Sequence, residues 1–163
     1  MNAMSTNMST NETVIDYVTA TIGGQLFGLP IGRVQDVFML ERLTRVPLAA
    51  TEIAGLLNLR GRIVTVIDMR RRLDYAARED APAGARRPAL AVGIEHRGES
   101  YGLLIDQIGE VLRLLAASRE DNPVNLEARL ARVAAGVHRL DGRLMVVLDV
   151  DRVLEAGVSA LAA

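Results

Sequence analysis

The 163-residue chain contains no cysteine and no tryptophan, and all 19 of its basic residues are arginine. Without cysteine there is no disulfide, no thiolate nucleophile and no cysteine-ligated zinc or iron–sulfur centre. Aromatics are scarce as well, three Tyr and two Phe, and a single-strand nucleic-acid binder needs a stacking platform that so few rings can hardly build. An excess of charge of either sign is missing too. The formal net charge of −1 argues against affinity built on neutralising phosphates of a nucleic acid or a membrane surface. No uncharged apolar run approaches about 18 residues, so no membrane span is expected. The opening stretch MNAMSTNMSTNETV lacks the basic start and apolar segment of a secretory signal. A folded cytosolic protein is expected, and the exclusive use of arginine reads as codon composition.

Catalytic and cofactor signatures are absent in the same way. His96 and His138 stand alone, with no His or Glu at metal-ligand spacing. Neither a GxGxxG nor a Walker-type loop occurs. Asp68 and Asp149 each precede an arginine-containing segment, DMRRRL and DVDRVL, where an N-cap role explains them better than acid/base chemistry. Arg70 to Arg72 read as a solvated helix face, flanked as they are by Asp68 and Asp74. No cofactor and no metal are expected, and binding between proteins becomes the default.

What the chain does have is apolar material, half of its residues, arranged twice. GLLNLRGRIVTVIDMRRRL from Gly55 aligns without a gap on GVHRLDGRLMVVLDVDRVL from Gly136, and FGLPIGRVQDV from Phe27 lies on YGLLIDQIGEV from Tyr101 at a slightly different offset. Two matched blocks in the same order point to an ancient duplication. The expected organisation is a flexible tail over 1–13, a first repeat over about 14–75, a Pro/Gly/charge-rich linker over about 76–88, a second repeat over about 89–156, and a short tail over 157–163.

Each repeat reads as short strands. Tyr17 to Ile22 turns at Gly23-Gly24 into Gln25 to Leu29, and Ala89 to Glu95 turns near Arg97-Gly98 into Ser100 to Leu104. Ile31 to Val37 and Ile105 to Val111 carry apolar residues three or four apart, which predicts one or two helical turns. A second hairpin then closes each unit, followed by a short helix. Many short strands and turns indicate small barrels and not a layered α/β sheet. One further helix is expected over Asn125 to Gly136, with Leu126, Leu130 and Val133 on one face and Gly136 as C-cap.

Arg60 stands out at the tip of the second hairpin. Two-residue turns demand positive φ, which Asn-Gly or Asp-Gly supplies easily and Arg does not. The other repeat has Asp141 there, a residue suited to a type I′ turn. The expectation is therefore that Arg60 is present for its five-donor guanidinium. Asp36, whose counterpart is Glu110, supplies a carboxylate, so a surface pair of Asp36 with Arg60 is expected to orient the arginine for a partner.

These blocks, the NLRG element and the upstream VQDV above all, resemble the CheW coupling proteins of bacterial chemotaxis from about Tyr17 to Leu154. The resemblance implies a mainly β fold, two SH3-like five-stranded barrels from an internal duplication that exchange elements, with short helices. It implies a non-catalytic adaptor between the cytoplasmic hairpin tip of methyl-accepting chemoreceptors and the regulatory domain of the histidine kinase CheA. The chain would be cytoplasmic and recruited to receptor arrays, with no nucleic acid bound and no direct membrane insertion. Carried over to this sequence, receptor contacts in the groove between barrels fall on Val34, Asp36, Gly55, Asn58, Arg60 and Gly61, and kinase contacts on Arg45, Val46, Pro47 and Ile53. Two departures are visible: Asp36 is one methylene shorter than the family's usual Glu, and Val124 stands where a ring-closing aromatic often follows the proline. The same adaptor in a pilus-motility or second-messenger array is the alternative, and a small-barrel nucleic-acid binder a more remote one.

Overall fold

A computed structural model of the chain describes residues 13–40, 43–47, 49, 51–75 and 89–155. The expected linker over 76–88 and, Thr13 apart, both terminal tails lie outside the described residues. The first repeat forms β1 (Val14–Ile22), β2 (Gln25–Pro30), a 3-10 turn (Ile31–Arg33), β3 (Val34–Leu40), β4 (Ile53–Leu59), β5 (Arg62–Asp68) and the one-turn helix α1 (Met69–Arg72). The second forms β6 (Ala89–His96), β7 (Glu99–Ile105), β8 (Gln107–Leu115), a 3-10 turn (Ala116–Ser118), the short helix α2 (Ala128–Ala131), β9 (Ala134–Leu140) and β10 (Arg143–Leu148). A final helix, α3, follows over residues 150–155.

These strands make two five-stranded sheets, in the orders β8-β1-β2-β10-β9 and β3-β6-β7-β5-β4. The first two strands of each repeat therefore complete the sheet of the other, so the expected exchange of elements is present. We call the sheet containing β1 barrel A and the sheet containing β6 barrel B. The register repeats the sequence alignment strand by strand. In the parallel pairing of β2 with β10, Phe27 lies opposite Val146, and in that of β7 with β5 the aligned residues Tyr101 and Thr65 face each other.

Packing follows from this entwining. The largest buried cluster joins Ala20, Ile22, Phe27 and Leu29 to Ile67, Val92, Ile94, Tyr101 and Leu103, and so fuses the barrels. Smaller clusters fill each interior: Tyr17, Leu26, Met145 and Val147 in barrel A, and Leu40, Val64, Val66 and Ala91 in barrel B. On the same face as the largest cluster, α3 contributes Val150, Val153 and Leu154.

Three expectations are corrected. Ile31 to Val37 and Ile105 to Val111 are not helical turns: only Ile31–Arg33 is 3-10, and the chain then runs extended as β3 and β8. The three-residue spacing arose because Ile31 sits in the turn while both faces of the following strand carry apolar residues. The helix over Asn125 to Gly136 shrinks to Ala128–Ala131. Leu130 and Val133 are buried as expected, but Gly136 lies within β9, opposite Val147 of β10. Arg70 to Arg72, finally, are not a free solvated face. Arg70 grips Asp106 through Nε and Nη2, both at 2.7 Å, and Arg72 donates to the carbonyls of Arg152 and Val153. The N-caps stand: Asp68 accepts from the amides of Arg70 and Arg71, and Asp149 from that of Arg152.

Candidate functional site

The β4–β5 hairpin turns on Arg60 and Gly61, with φ of +52° and +82°. Both are left-handed, as a type I′ turn requires, and the Asn58 side-chain oxygen accepts the Gly61 amide at 3.0 Å. This corrects the expected contrast between repeats. In the Asp141-Gly142 tip only Gly142 is left-handed, at +73°, whereas Arg97-Gly98 repeats the arginine-first form at +51° and +79°. The two-residue loop and the twist of its strands set the conformation. Arginine accepts it against a penalty of about 1–2 kcal/mol for a side chain in that region.

Arg60 and Asp36 do meet in one place but do not pair. Both line a cleft of about 340 Å³ at the mouth of barrel B, with Gln35, Phe38, Arg62, Val64, Gly93 and Tyr101 among its other walls. Among the described residues no ion pair joins Asp36 to Arg60, so the expected orienting pair is corrected. The cause lies in β3: the register against β6 slips between Val34 and Asp36, and the Asp36 carboxylate lies over Gly93, where a Cβ would collide with it. Arg60 is left exposed, its guanidinium without an ionic partner among the described residues. Arg97, by contrast, approaches Glu155 at 3.8 Å.

Val34 is half-buried against the large cluster, and Gly55 is buried. Gly55 has a structural task of its own. Thr44 and Leu56 exchange two backbone hydrogen bonds, 2.9 and 2.8 Å, that bring the chain after β3 onto β4. A Cβ on Gly55 would stand 2.6 Å from the Thr44 carbonyl oxygen. Gly136 repeats this in barrel A, where Glu120 and Val137 make the closing pair and a Cβ would come within 2.7 Å of the Glu120 oxygen. Of the residues carried over for the kinase, Arg45 and Pro47 are exposed and Val46 is half-buried. Ile53 is 8% exposed and packs in the large cluster, so its side chain shapes the surface from below.

Sequence reasoning missed the exposed apolar residues of β3, Val37 and Met39, the latter 62% exposed. They alternate with Asp36 and Phe38, and their direct partners on β6 are Val92 and Leu90, which belong to the cluster between barrels. Apolar and polar residues do not alternate through VQDVFML, so the sequence carries no signal that Val37 and Met39 face outward. Their counterparts on barrel A are Val14, Val111 and Leu115, also exposed, with Asp16 paired to Arg113 at 2.9 Å among them.

Ionic ties hold the elements that carry these faces. Asp106 accepts the Gly23 amide at 2.8 Å besides gripping Arg70, joining the β1–β2 turn to α1. Asp151 on α3 takes Arg33 at 2.9 Å and His96 at 3.2 Å. Arg33 beside it holds its carboxyl below the usual carboxylate range. In barrel A the His138 ring lies edge-on to Tyr17 at 5.3 Å, and burial pushes its pKa down. Burial, helped by the bond to Glu99, pushes the Tyr101 hydroxyl up to about 12. None of these groups forms a nucleophile–base pair, and no cluster of three or more potential metal ligands occurs among the described residues.

The model of the CheW-like domain family matches residues 16–158. The chain belongs to the CheW family. Its members are scaffolds without catalytic activity. A chemotaxis protein CheW of Helicobacter pylori is 23% identical over 145 residues, covering 89% of this chain and 84% of that protein. Protein PilI of Pseudomonas aeruginosa is 29% identical over 119 residues, 72% of this chain and 64% of that one. The crystal structure of the scaffolding protein TtCheW from Thermoanaerobacter tengcongensis superposes with a TM-score of 0.73 at 24% identity, covering 84% of this chain and 90% of that chain. No helix among the described residues is long and apolar enough to cross a membrane.

Proposed function

We propose that this CheW-family scaffold couples chemoreceptor tips to the histidine kinase CheA, using barrel B as the receptor-binding element. The observation that carries the reading is Arg60. An arginine held in left-handed backbone at a hairpin tip, exposed and without an ionic partner among the described residues, has no contact there that the fold itself calls for. It stands beside Asp36, and β3 also presents exposed Val37 and Met39. Phe38 beside Asp36 and Arg60 gives that cleft an apolar side with an arginine anchor, which suits a helix of a receptor hairpin tip, and Val37 and Met39 offer a second apolar contact on the opposite face of β3. Asn58 and Gly61 serve by building the turn, while Val34 and Gly55 place β3 and β4. The kinase regulatory domain would take the Arg45 to Pro47 stretch, supported from beneath by Ile53.

A second reading is the same adaptor in a non-flagellar chemosensory system, and the relative named PilI favours it. The nucleic-acid reading loses its arginine cluster, since Arg70 and Arg72 are engaged within the fold.

The test is capture of receptor cytoplasmic fragments and of CheA, each separately, by wild-type and Arg60→Ala protein whose folding is checked by circular dichroism. Wild type should retain both, and Arg60→Ala should lose receptor while keeping kinase. Capture of neither by wild type, or equal receptor capture by the variant, overturns the assignment.

A further inference from the structure

The duplication offers an internal control on how each barrel interior is filled, and the two are filled differently. In barrel A, Tyr17, Met145 and His138 plug the mouth, and the Met145 methyl would stand 2.6 Å from a Cβ on Gly28. The aligned register puts Ala91, Val64 and Leu57 at the matching places in barrel B: Tyr17 pairs with Leu112 as Ala91 does with Phe38, and Met145 with Leu26 as Val64 does with Ser100. Tyrosine has become alanine, methionine valine, and Leu26 serine. The cleft of about 340 Å³ borders two of these exchanged positions, Val64 and Ser100, while Phe38, standing where barrel A has Leu112, comes over Gly102; its volume reaches the lower end of the size range of ligand pockets, about 300–1,000 Å³.

Its chemistry is divided. Phe38, Leu59 and Val64 are among its apolar lining residues, and Arg60, Arg62 and Asp36 are its charged ones. Gln35 on the cleft wall donates to the Glu95 carboxylate at 2.7 Å, whereas Arg60, Arg62 and Asp36 have no ionic partner among the described residues. Two such guanidiniums can take an anion, and their planar fork favours the bidentate geometry of a carboxylate.

We infer that the mouth of barrel B is a binding site for an apolar carboxylate, its hydrocarbon part on Phe38 and Val64 and its carboxylate between Arg60 and Arg62. The inference does not rest on the adaptor reading, because it is measured on the isolated chain. The carboxylate has two conceivable sources, a small free acid or an acidic side chain beside an apolar one on a bound protein.

The experiment is an amide-resolved NMR titration of the full chain with 3-phenylpropanoate and, separately, its neutral amide 3-phenylpropanamide. The expected result is saturable shifts at Phe38, Val64, Gly93 and Ser100, with the acid at least ten-fold tighter. Arg62→Gln should erase the preference for acid over amide. Val64→Met, which installs the plug of barrel A, should abolish binding in a protein that melts no lower than wild type. Ser100→Leu serves the same purpose should that variant not fold. An acetylated Phe-Glu amide binding tighter than the free acid assigns the site to a protein's side chain, and the reverse order assigns it to a small acid. No saturable binding, equal affinity for acid and amide, or unchanged binding by the folded plugged variants overturns the inference. Receptor capture by Val64→Met is a separate readout, so failure of either assignment leaves the other standing.

Discussion

Replacing Arg60 by glycine should make the protein more stable and less competent at once. At φ +52° a residue with a Cβ bears about 1–2 kcal/mol of left-handed penalty, which glycine removes. Against that, glycine adds about 0.5–1 kcal/mol of unfolded-chain entropy. Among the described residues no ion pair of Arg60 is lost with the side chain, and the Asn58 bond to the Gly61 amide survives. The balance is a gain of up to about 1.5 kcal/mol, which in a chain of this size raises Tm by up to about 6 °C. Receptor capture, which needs the guanidinium, should fall at least ten-fold. Arg97→Gly is the control: it shares the conformation at +51° and gives up only an exposed 3.8 Å contact to Glu155. It should gain similar stability with receptor capture unchanged. Thermal denaturation and affinity capture on the same preparations decide the matter. A loss of stability in both variants would refute the strain argument, and full receptor binding by Arg60→Gly would refute the role given to the side chain.

Further outcomes follow from the rest of the fold. Gly55→Ala and Gly136→Ala each drive a Cβ onto a carbonyl oxygen of the closing bridge and should cost about 2–4 kcal/mol by denaturant unfolding, with hydrogen exchange opening first at Leu56 or Val137. Asp106→Ala removes the carboxylate that Arg70 and the Gly23 amide share and should cost about 2–3 kcal/mol in the same assay. His138, whose pKa burial pushes down, binds protons less readily folded than unfolded. Stability should therefore be complete above its unfolded pKa, about 6.5, and decline as pH falls below it. His138→Leu, the residue type at the matching position Leu57, should flatten that acid-side decline in pH-dependent melting curves.

The duplication made much of this architecture legible. Identical pairs such as Gly61/Gly142 and Asp68/Asp149 mark turn and cap positions whose chemistry is local, so hairpins and N-caps could be read directly. Local reading failed where distant segments decide. β3 looked helical because apolar residues stand on both of its faces, and what makes it a strand is its pairing with β6, more than fifty residues away in the chain. Gly136 looked like a C-cap because the Glu120 carbonyl that demands glycine is invisible to a local window. The same applies to the site. Arg60 was conspicuous from turn chemistry alone, whereas the tilt of Asp36 over Gly93, the alternation that exposes Met39 and the cleft itself appear only once two repeats are wound together. Arg70 looked solvated because Asp106, its partner, belongs to the other repeat.

The exchange of strands carries a meaning for the protein's ancestry. Neither repeat can finish a barrel by itself, since each sheet draws two strands from one and three from the other. A gene encoding a single repeat would have yielded closed barrels only by pairing two polypeptides about a twofold axis, each lending its first hairpin to its mate. The present chain has the arrangement that fusing the two subunits of such a swapped homodimer would give, with Asp141 at one hairpin tip and Arg60 at the other. Two fragments divided within 76–88 should accordingly complement each other in trans and stay unfolded when expressed apart.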